Sequence, residues 1–500
     1  MDRRHFLRST GIITAAGAAI PMLSSFNDPA DAIANALSSS KFSLNDVKES
    51  YSTDLLIVGG GPAGVCAAIS AARRGIKTMI VEQGGCLGGM ATRGLVSPFM
   101  TCYDTTGEIM LIKGLFEEIV NEMVAIGGAI HPKDVHSGTP FTAWITTGHD
   151  HVTPFESEAM KLVLDRMCAK AGVKVLFHST FVKPTVKKNK ITGCVFLTRS
   201  GFEAVNAKMY IDATGDGDVA YRAGVPCEFG NKAAGTVQPA TLFFKINNVD
   251  SPKLIADVQA HLSEFKKVNG VSYRALFWRV AQAEAAGEWD IARKSVNLYR
   301  CVKEDEWAIN STRIPNIDST NSESLTSGEI EGRRQVNELM NFFHKYVPGC
   351  ENATLMSTAE TLGIRESRHI LGEYILSADD LLNGKVPEDS IFLASNSVDI
   401  HGRFGGNTTE YLTVKNGRWY GVPYRSLLPK EIDNLIVAGR CLSASSDAAG
   451  AVRVMPPCMA MGQAAGTAAA IALKARIGAK SIDTKDLITA LKGDNVFLGQ

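Results

Sequence analysis

The chain has 500 residues, 45% of them apolar, and its 52 basic and 52 acidic side chains cancel to a formal net charge of zero. That apolar content is enough for two or three sizeable hydrophobic cores. Zero net charge, with no basic run interleaved with aromatics, argues against nucleic acid as a partner, and no apolar stretch reaches the ~20 residues that span a bilayer.

The first stretch, "DRRHFLRSTGIITAAGAAIPML", pairs Arg3 with Arg4, follows them with Phe6, Leu7 and Arg8, and runs into a mildly apolar segment from Gly11 to Leu23. It resembles a twin-arginine export signal, with small-residue cleavage candidates at Ala30-Asp31-Ala32 and Ala34-Asn35-Ala36. The expectation is a signal over 1–36, a polar linker over 37–50, and a mature protein that is periplasmic or otherwise exported and not integral to a membrane.

From Thr53 to Glu82 the pattern is that of a dinucleotide site. Leu55 to Val58 predicts a short parallel strand, apolar on both faces. Gly59, Gly61 and Gly64 then give the G-x-G-x-x-G spacing: a tight turn, a close approach to a pyrophosphate, and a close seat of helix on sheet. After Pro62 a helix is expected from about Ala63 to Arg74; its N-terminal N–H groups suit phosphate, and Gly75 stops it. Thr78 to Val81 predicts the second strand. Glu82 ends it, at the position of the acid that holds a ribose diol.

The ten cysteines contain no C-x-x-C pair, so neither a local redox dithiol nor an iron–sulfur cassette is visible. Scattered as they are, they read as buried apolar filler, with one disulfide left open. A helix over Glu156 to Ala171 precedes short strands in "VKVLFHSTFVKP" and "KITGCVFLTRSG". In "AKMYIDATGDGDVAYRAG", Gly215, Gly217 and Ala220 fit G-x-G-x-x-A, but Gly224 and Pro226 stop the helix at once and no strand with a terminal acid follows. Ala213, Thr214 and Gly215 therefore read as the Ala-Thr-Gly motif that closes a flavoprotein's nucleotide domain. Near the chain end, a strand over Leu435 to Ala438 leads to a turn at Gly439 and Arg440. Gly462, Gln463, Ala464, Ala465 and Gly466 are expected to open a long alanine helix, its positive end facing the N1/O2 edge of a reduced flavin. NAD enzymes have no such second element, so the first motif is read as an FAD site.

With these pieces in place, the chain resembles the bacterial FAD-dependent oxidoreductases that share the flavin domain of heterodisulfide reductase, of the glutathione-reductase type. The resemblance rests on "GGCLGGMATRGLV" (84–96), "IDATGDGDVAYRAG" (211–224), "INSTRIPNID" (309–318), "LGIRESRHILGEY" (362–374), "VDIHGR" (398–403) and "NLIVAGRCLSASSDAAGAVRVMPPCMAMGQAAG" (434–466). It implies an α/β protein: a Rossmann-like FAD-binding domain of parallel sheet plus β-meander, over 51–96, 154–228 and 405–480. An inserted α+β substrate or cap domain over 97–153 and 229–404, and a tail over 481–500, complete it. It also implies non-covalent FAD, with Gly88, Gly89 and Thr92 among its contacts, and a distant kinship with soluble fumarate reductases and the thiazole-synthase flavin fold. One departure stands out: the flavin-bearing chain of heterodisulfide reductase carries iron–sulfur motifs, and this chain shows none.

On the substrate side, Arg365, Glu366, Ser367 and Arg368 follow Gly363 at an expected helix start, where arginines suit a carboxylate or polyhydroxyl ligand or else form a structural ion pair. Asp399 and His401 fall on one side of an extended strand. His401 is the expected acid or base for a substrate proton. Arg453 precedes the flavin-facing helix and is expected to touch flavin or substrate. His131, His136, His149 and His151 lie in turn-rich stretches; His149 and His151 have a metal-binding spacing, but a surface loop is the preferred reading and no metal is expected. The resulting expectation is an exported FAD enzyme that moves a hydride between flavin N5 and a small polar substrate, a sugar or hydroxy-acid derivative, with an unidentified electron acceptor. The alternatives are a fumarate-reductase-like C=C reductase and a flavin-bearing electron-transfer component of a larger complex.

Overall fold

A computed structural model describes residues 47–268, 271–273, 276–401 and 409–499. The export-signal segment and the end of "VDIHGR" lie outside the described residues. Strand β1 (Glu49–Ser52) leads to β2 (Leu55–Val58), helix α1 (Pro62–Arg73) and β3 (Thr78–Val81). After α2 (Leu115–Ala125) and α3 (Ser157–Ala171) come β4 (Lys174–Leu176), the meander β5 (Thr180–Lys187), β6 (Lys190–Thr198) and β7 (Gly201–Asn206), then β8 (Met209–Asp212) and the one-turn α4 (Asp218–Arg222). Further along are β9 (Phe244–Asn247), β10 (Leu298–Arg300), β11 (Trp307–Ile309), α5 (Ser322–Tyr346) and β12 (Thr354–Thr358). Last come β13 (Val398–His401), β14 (Leu435–Val437) and α6 (Met455–Ala475).

This is an α/β fold. Five parallel strands in the order β14-β8-β2-β3-β4 make its central sheet. Every residue of β2, β3 and β8 is buried, because helices cover one face of the sheet and the meander covers the other. Half of helix α1 is alanine or glycine, and α6 lies directly against it: a Cβ at Gly462 would sit 2.0 Å from the Ala63 carbonyl oxygen, and one at Gly466 2.2 Å from that of Ala67. Backbone approach of that kind is open only to glycine.

A second sheet, antiparallel and ordered β10-β11-β9-β12, packs with α5 around Phe244, Trp307, Leu339 and Phe343. That core takes its residues almost wholly from 240–362, plus Trp144. Phe99, Phe116 and Phe155 pack instead with α1 and α6 in the core of the nucleotide sheet. All ten cysteines are free, and eight are buried. Burial pushes the thiol of Cys168 up to about 12 and leaves it an apolar filler. Among the described residues no helix is long and apolar enough to cross a membrane.

Candidate active site

Both parts of the fold face a cavity of about 640 Å³. One end is built on the turn between β2 and α1. Gly59 sits at φ +104°, where a Cβ would lie 2.4 Å from the Ala213 carbonyl oxygen, and one at Gly64 would lie 1.9 Å from that of Gly59. These two glycines let strand, helix and neighbouring loop close on one another. Gly61 differs. It caps α1 with no side-chain hydrogen bond, and a Cβ there would meet nothing within 4 Å. Its open side is the cavity, which Pro62 and Ala63 also line.

Glu82 is buried at the end of β3. Its two carboxylate oxygens accept from the Gly60 and Gly84 amides, each at 2.7 Å, and Arg93 Nη1 lies 3.2 Å away. Carboxylate oxygens carry further lone pairs, so the acid is fixed yet able to accept a diol. Next to the turn lie Ala213, Thr214 and Gly215 after β8, and Gly439 and Arg440 after β14 line the same cavity. Asp212 orients the first of these loops by accepting from Thr214 Oγ1 at 2.7 Å and the Ala220 amide at 2.8 Å. Burial pushes its carboxyl up to about 6. Arg440 pairs with Asp216 at 2.7 Å.

Several residues expected at a cofactor are elsewhere. Helix α6 starts at Met455, with Val454 as cap and Pro456 and Pro457 in its first turn, so Gly462, Gln463, Ala464 and Ala465 lie about two turns inside it and off the cavity wall. They are packing residues: Gly462 seats α1, and Gln463 Oε1 accepts from the Leu115 amide at 2.8 Å. The true helix start, Val454, Met455 and Cys458, is what lines the cavity. Gly64, Gly88 and Thr92 are off the wall as well; Thr92 Oγ1 donates to the Leu87 carbonyl at 2.7 Å and shapes the loop from which Gly89 reaches the cavity. No helix begins at Arg365, because residues 359–367 are irregular and Arg368 opens a short strand paired with Cys227–Phe229.

At the other end of the cavity, the strand alternation of β13 puts Asp399 and His401 on one face, with His401 Nε2 3.3 Å from Asp399 Oδ2. Arg453 Nη2 lies 3.8 Å from that same oxygen. Arg365 Nη1 donates to the Pro239 carbonyl at 2.5 Å, which holds its guanidinium at the wall. Sequence reasoning misses Arg313, whose Nη2 donates to His401 Nδ1 at 3.2 Å. The only hint of it is its place in the "INSTRIPNID" stretch. Burial, reinforced by Arg365 and Arg313, holds His401 well below the usual imidazole value in spite of Asp399. Burial alone would raise Asp399, but its neighbours His401, Arg453 and Arg365 outweigh that and hold it well below the usual carboxylate range. Burial and the arginines thus disfavour the charged imidazole, while the arginines favour the charged carboxylate.

The histidine loop differs from the sequence expectation. His149 and His151 are buried, not on a surface loop, and His149 lines the cavity with its ring stacked over Tyr299. His131 is half-buried and His136 exposed.

A dinucleotide suits the first end on the structure's own terms. The α1 terminus opens through Gly61, and Nε of Arg440 is buried without a hydrogen-bond partner among the described residues.

A family model described as "FAD dependent oxidoreductase" matches residues 54–491. A thiamine thiazole synthase from Methanococcus aeolicus is 26% identical over 197 residues, a match that covers 37% of this chain and 61% of that protein's length. Among solved structures, a geranylgeranyl bacteriochlorophyll reductase-like protein from Thermoplasma acidophilum shares 15% identity at a TM-score of 0.41, over 89% of this chain and 84% of that one. A p-nitrophenol 4-monooxygenase from Pseudomonas putida shares 12% at 0.43, over 89% and 85%.

Proposed function

Since the chain belongs to the FAD-dependent oxidoreductase family, we propose that it is an exported member passing a hydride between flavin N5 and a small hydroxylated substrate that carries a carboxylate. The observation that carries this reading is one cavity lined at one end by Gly61 and Glu82 and at the other by Arg365, Asp399, His401 and Arg453.

In this reading the α1 terminus around Gly61 holds the pyrophosphate, Glu82 holds the ribose, and the α6 terminus with Arg440 receives the flavin end. Bound FAD supplies a two-electron acceptor. Arg365 and Arg453 bind the substrate carboxylate with charge-assisted hydrogen bonds. The expectation that His401 itself takes the substrate proton is modified, because both its nitrogens are already engaged, Nδ1 by Arg313 and Nε2 by Asp399. Asp399 has more of its side chain open to the cavity than His401, 30% against 10%. Its carboxylate accepts the hydroxyl proton while His401 and Arg453 hold it in place. Dye-coupled turnover tests the reading: oxidation of hydroxy acids supports it, and reduction of enoates without such oxidation replaces it with a C=C reductase.

A further inference from the structure

We infer that His136, Asp150 and His151 form a binding site for a divalent transition metal. It lies outside the cavity wall, in the loop whose ends are pinned by the Phe99–Thr153 and Ala129–Phe155 bridges.

His151 Nδ1 lies 2.8 Å from the Pro132 carbonyl oxygen, and a carbonyl can only accept, so the Nδ1 proton points there. In the neutral ring Nε2 then carries a lone pair, and it faces Asp150 Oδ2 at 3.5 Å. That gap is wider than a hydrogen bond. It matches the roughly 3.4 Å edge between two ligands that each sit about 2.1 Å from a tetrahedral ion. Two lone pairs face each other across it, an arrangement a cation relieves. His136 brings the third donor: its ring stands 5.7 Å from that of His151 at 73°, and one ligand atom from each of the three residues lies within 4.8 Å of the others.

The ligands are oriented from behind, as metal ligands characteristically are. Asp150 Oδ1 accepts from the Ser137 amide at 2.8 Å, and the Tyr103 ring stacks on His151 at 4.0 Å between centroids. His151 is buried, Asp150 half-buried and His136 exposed, so an ion enters from the solvent side and meets the fixed ligands first. Two imidazoles and a carboxylate select a borderline metal of the zinc or ferrous type over magnesium or calcium, which prefer oxygen alone. The consequence is local to the cavity: Thr147, Gly148 and His149 line it from the same loop, so a bound ion would pin that wall.

The test uses the flavin-bound full chain, stripped of metal with a chelator. Calorimetric titration with zinc chloride and optical titration with cobalt(II), whose visible bands report coordination number, should each show one ion per chain. His136→Ala and Asp150→Asn should each weaken binding by about tenfold or more while the flavin spectrum stays unchanged, which shows that the fold survives. Absence of saturable binding to the wild type would overturn the site and leave an ordinary His151–Asp150 ion pair. Equal affinity in both variants would overturn it too.

Discussion

Arg313 Nη2 donates to His401 Nδ1 over 3.2 Å. A guanidinium has no acceptor to offer, so Nδ1 holds the lone pair and the proton resides on Nε2, aimed at Asp399 Oδ2. This one contact fixes the tautomer. In the proposed mechanism it makes the histidine a positioning residue and leaves the carboxylate as the group that meets substrate.

The two residues should therefore differ kinetically. Asp399→Asn should keep the flavin bound and slow its reduction by substrate ~10²–10⁴-fold, the usual worth of a general base and about 3–5 kcal/mol of barrier. His401→Asn should cost less, roughly tenfold, because Arg453 still holds the carboxylate. Stopped-flow reduction decides the matter; a larger loss in His401→Asn than in Asp399→Asn would return the proton to the histidine.

Acid stability carries a second signature of His401. Its folded-state value is depressed, so below roughly pH 6.5 the unfolded chain gains a proton there that the folded chain refuses. Stability on that account falls as pH falls, by up to ~1.4 kcal/mol per pH unit. Asp399, also depressed, adds its own loss only below about pH 4. In His401→Asn the difference between unfolding midpoints at pH 7 and pH 5 should shrink; an unchanged difference would mean that the imidazole titrates normally.

Glycines of similar appearance should behave oppositely. Gly61→Val adds a side chain where a Cβ meets nothing, so the chain should fold and lose its cofactor. Gly462→Val drives a side chain into the Ala63 backbone, where a Cβ alone already sits 2.0 Å from the carbonyl oxygen, and should cost about 3 kcal/mol or more through separation of α1 and α6. Circular dichroism with flavin content separates the two. A Gly462→Val protein that folds normally but lacks flavin would restore that residue to the cofactor site, and one that folds and keeps its flavin would contradict the close packing of α1 on α6.

Local chemistry was legible in the sequence, and contacts across the chain were not. Gly59, Gly61, Gly64 and Glu82 lie within one strand–turn–helix–strand unit, so spacing alone assigns their jobs. The start of α6 is easily misplaced, because Gly462 has the look of a terminus; Pro456 and Pro457, which suit the first helical turn, mark the real one. Asp399 and His401 follow from strand alternation. Arg313 does not, because it is 88 residues from His401 and meets it only in the folded cavity. His149 and His151 sit in a segment rich in turn residues, and nothing local says that the second sheet and Tyr103 bury them.

The proposal of export rests on the arginine pair at the N-terminus. The double substitution Arg3→Lys, Arg4→Lys preserves charge, so if the pair itself is read, the enzyme should remain in the cytoplasm with its flavin. Periplasmic activity from that variant at the wild-type level would reduce the segment to a basic tail.

The proposed chemistry is tested most directly by anaerobic spectroscopy of the bound flavin against a panel of hydroxy acids and sugars. At least one carboxylate-bearing hydroxy compound should bleach the oxidised band, and Arg365→Ala should need about 10- to 100-fold more of it, the ~1.5–3 kcal/mol of a charge-assisted hydrogen bond. A flavin that stays oxidised with every such compound, yet is reoxidised by an enoate after chemical reduction, would contradict hydride removal from a hydroxylated substrate.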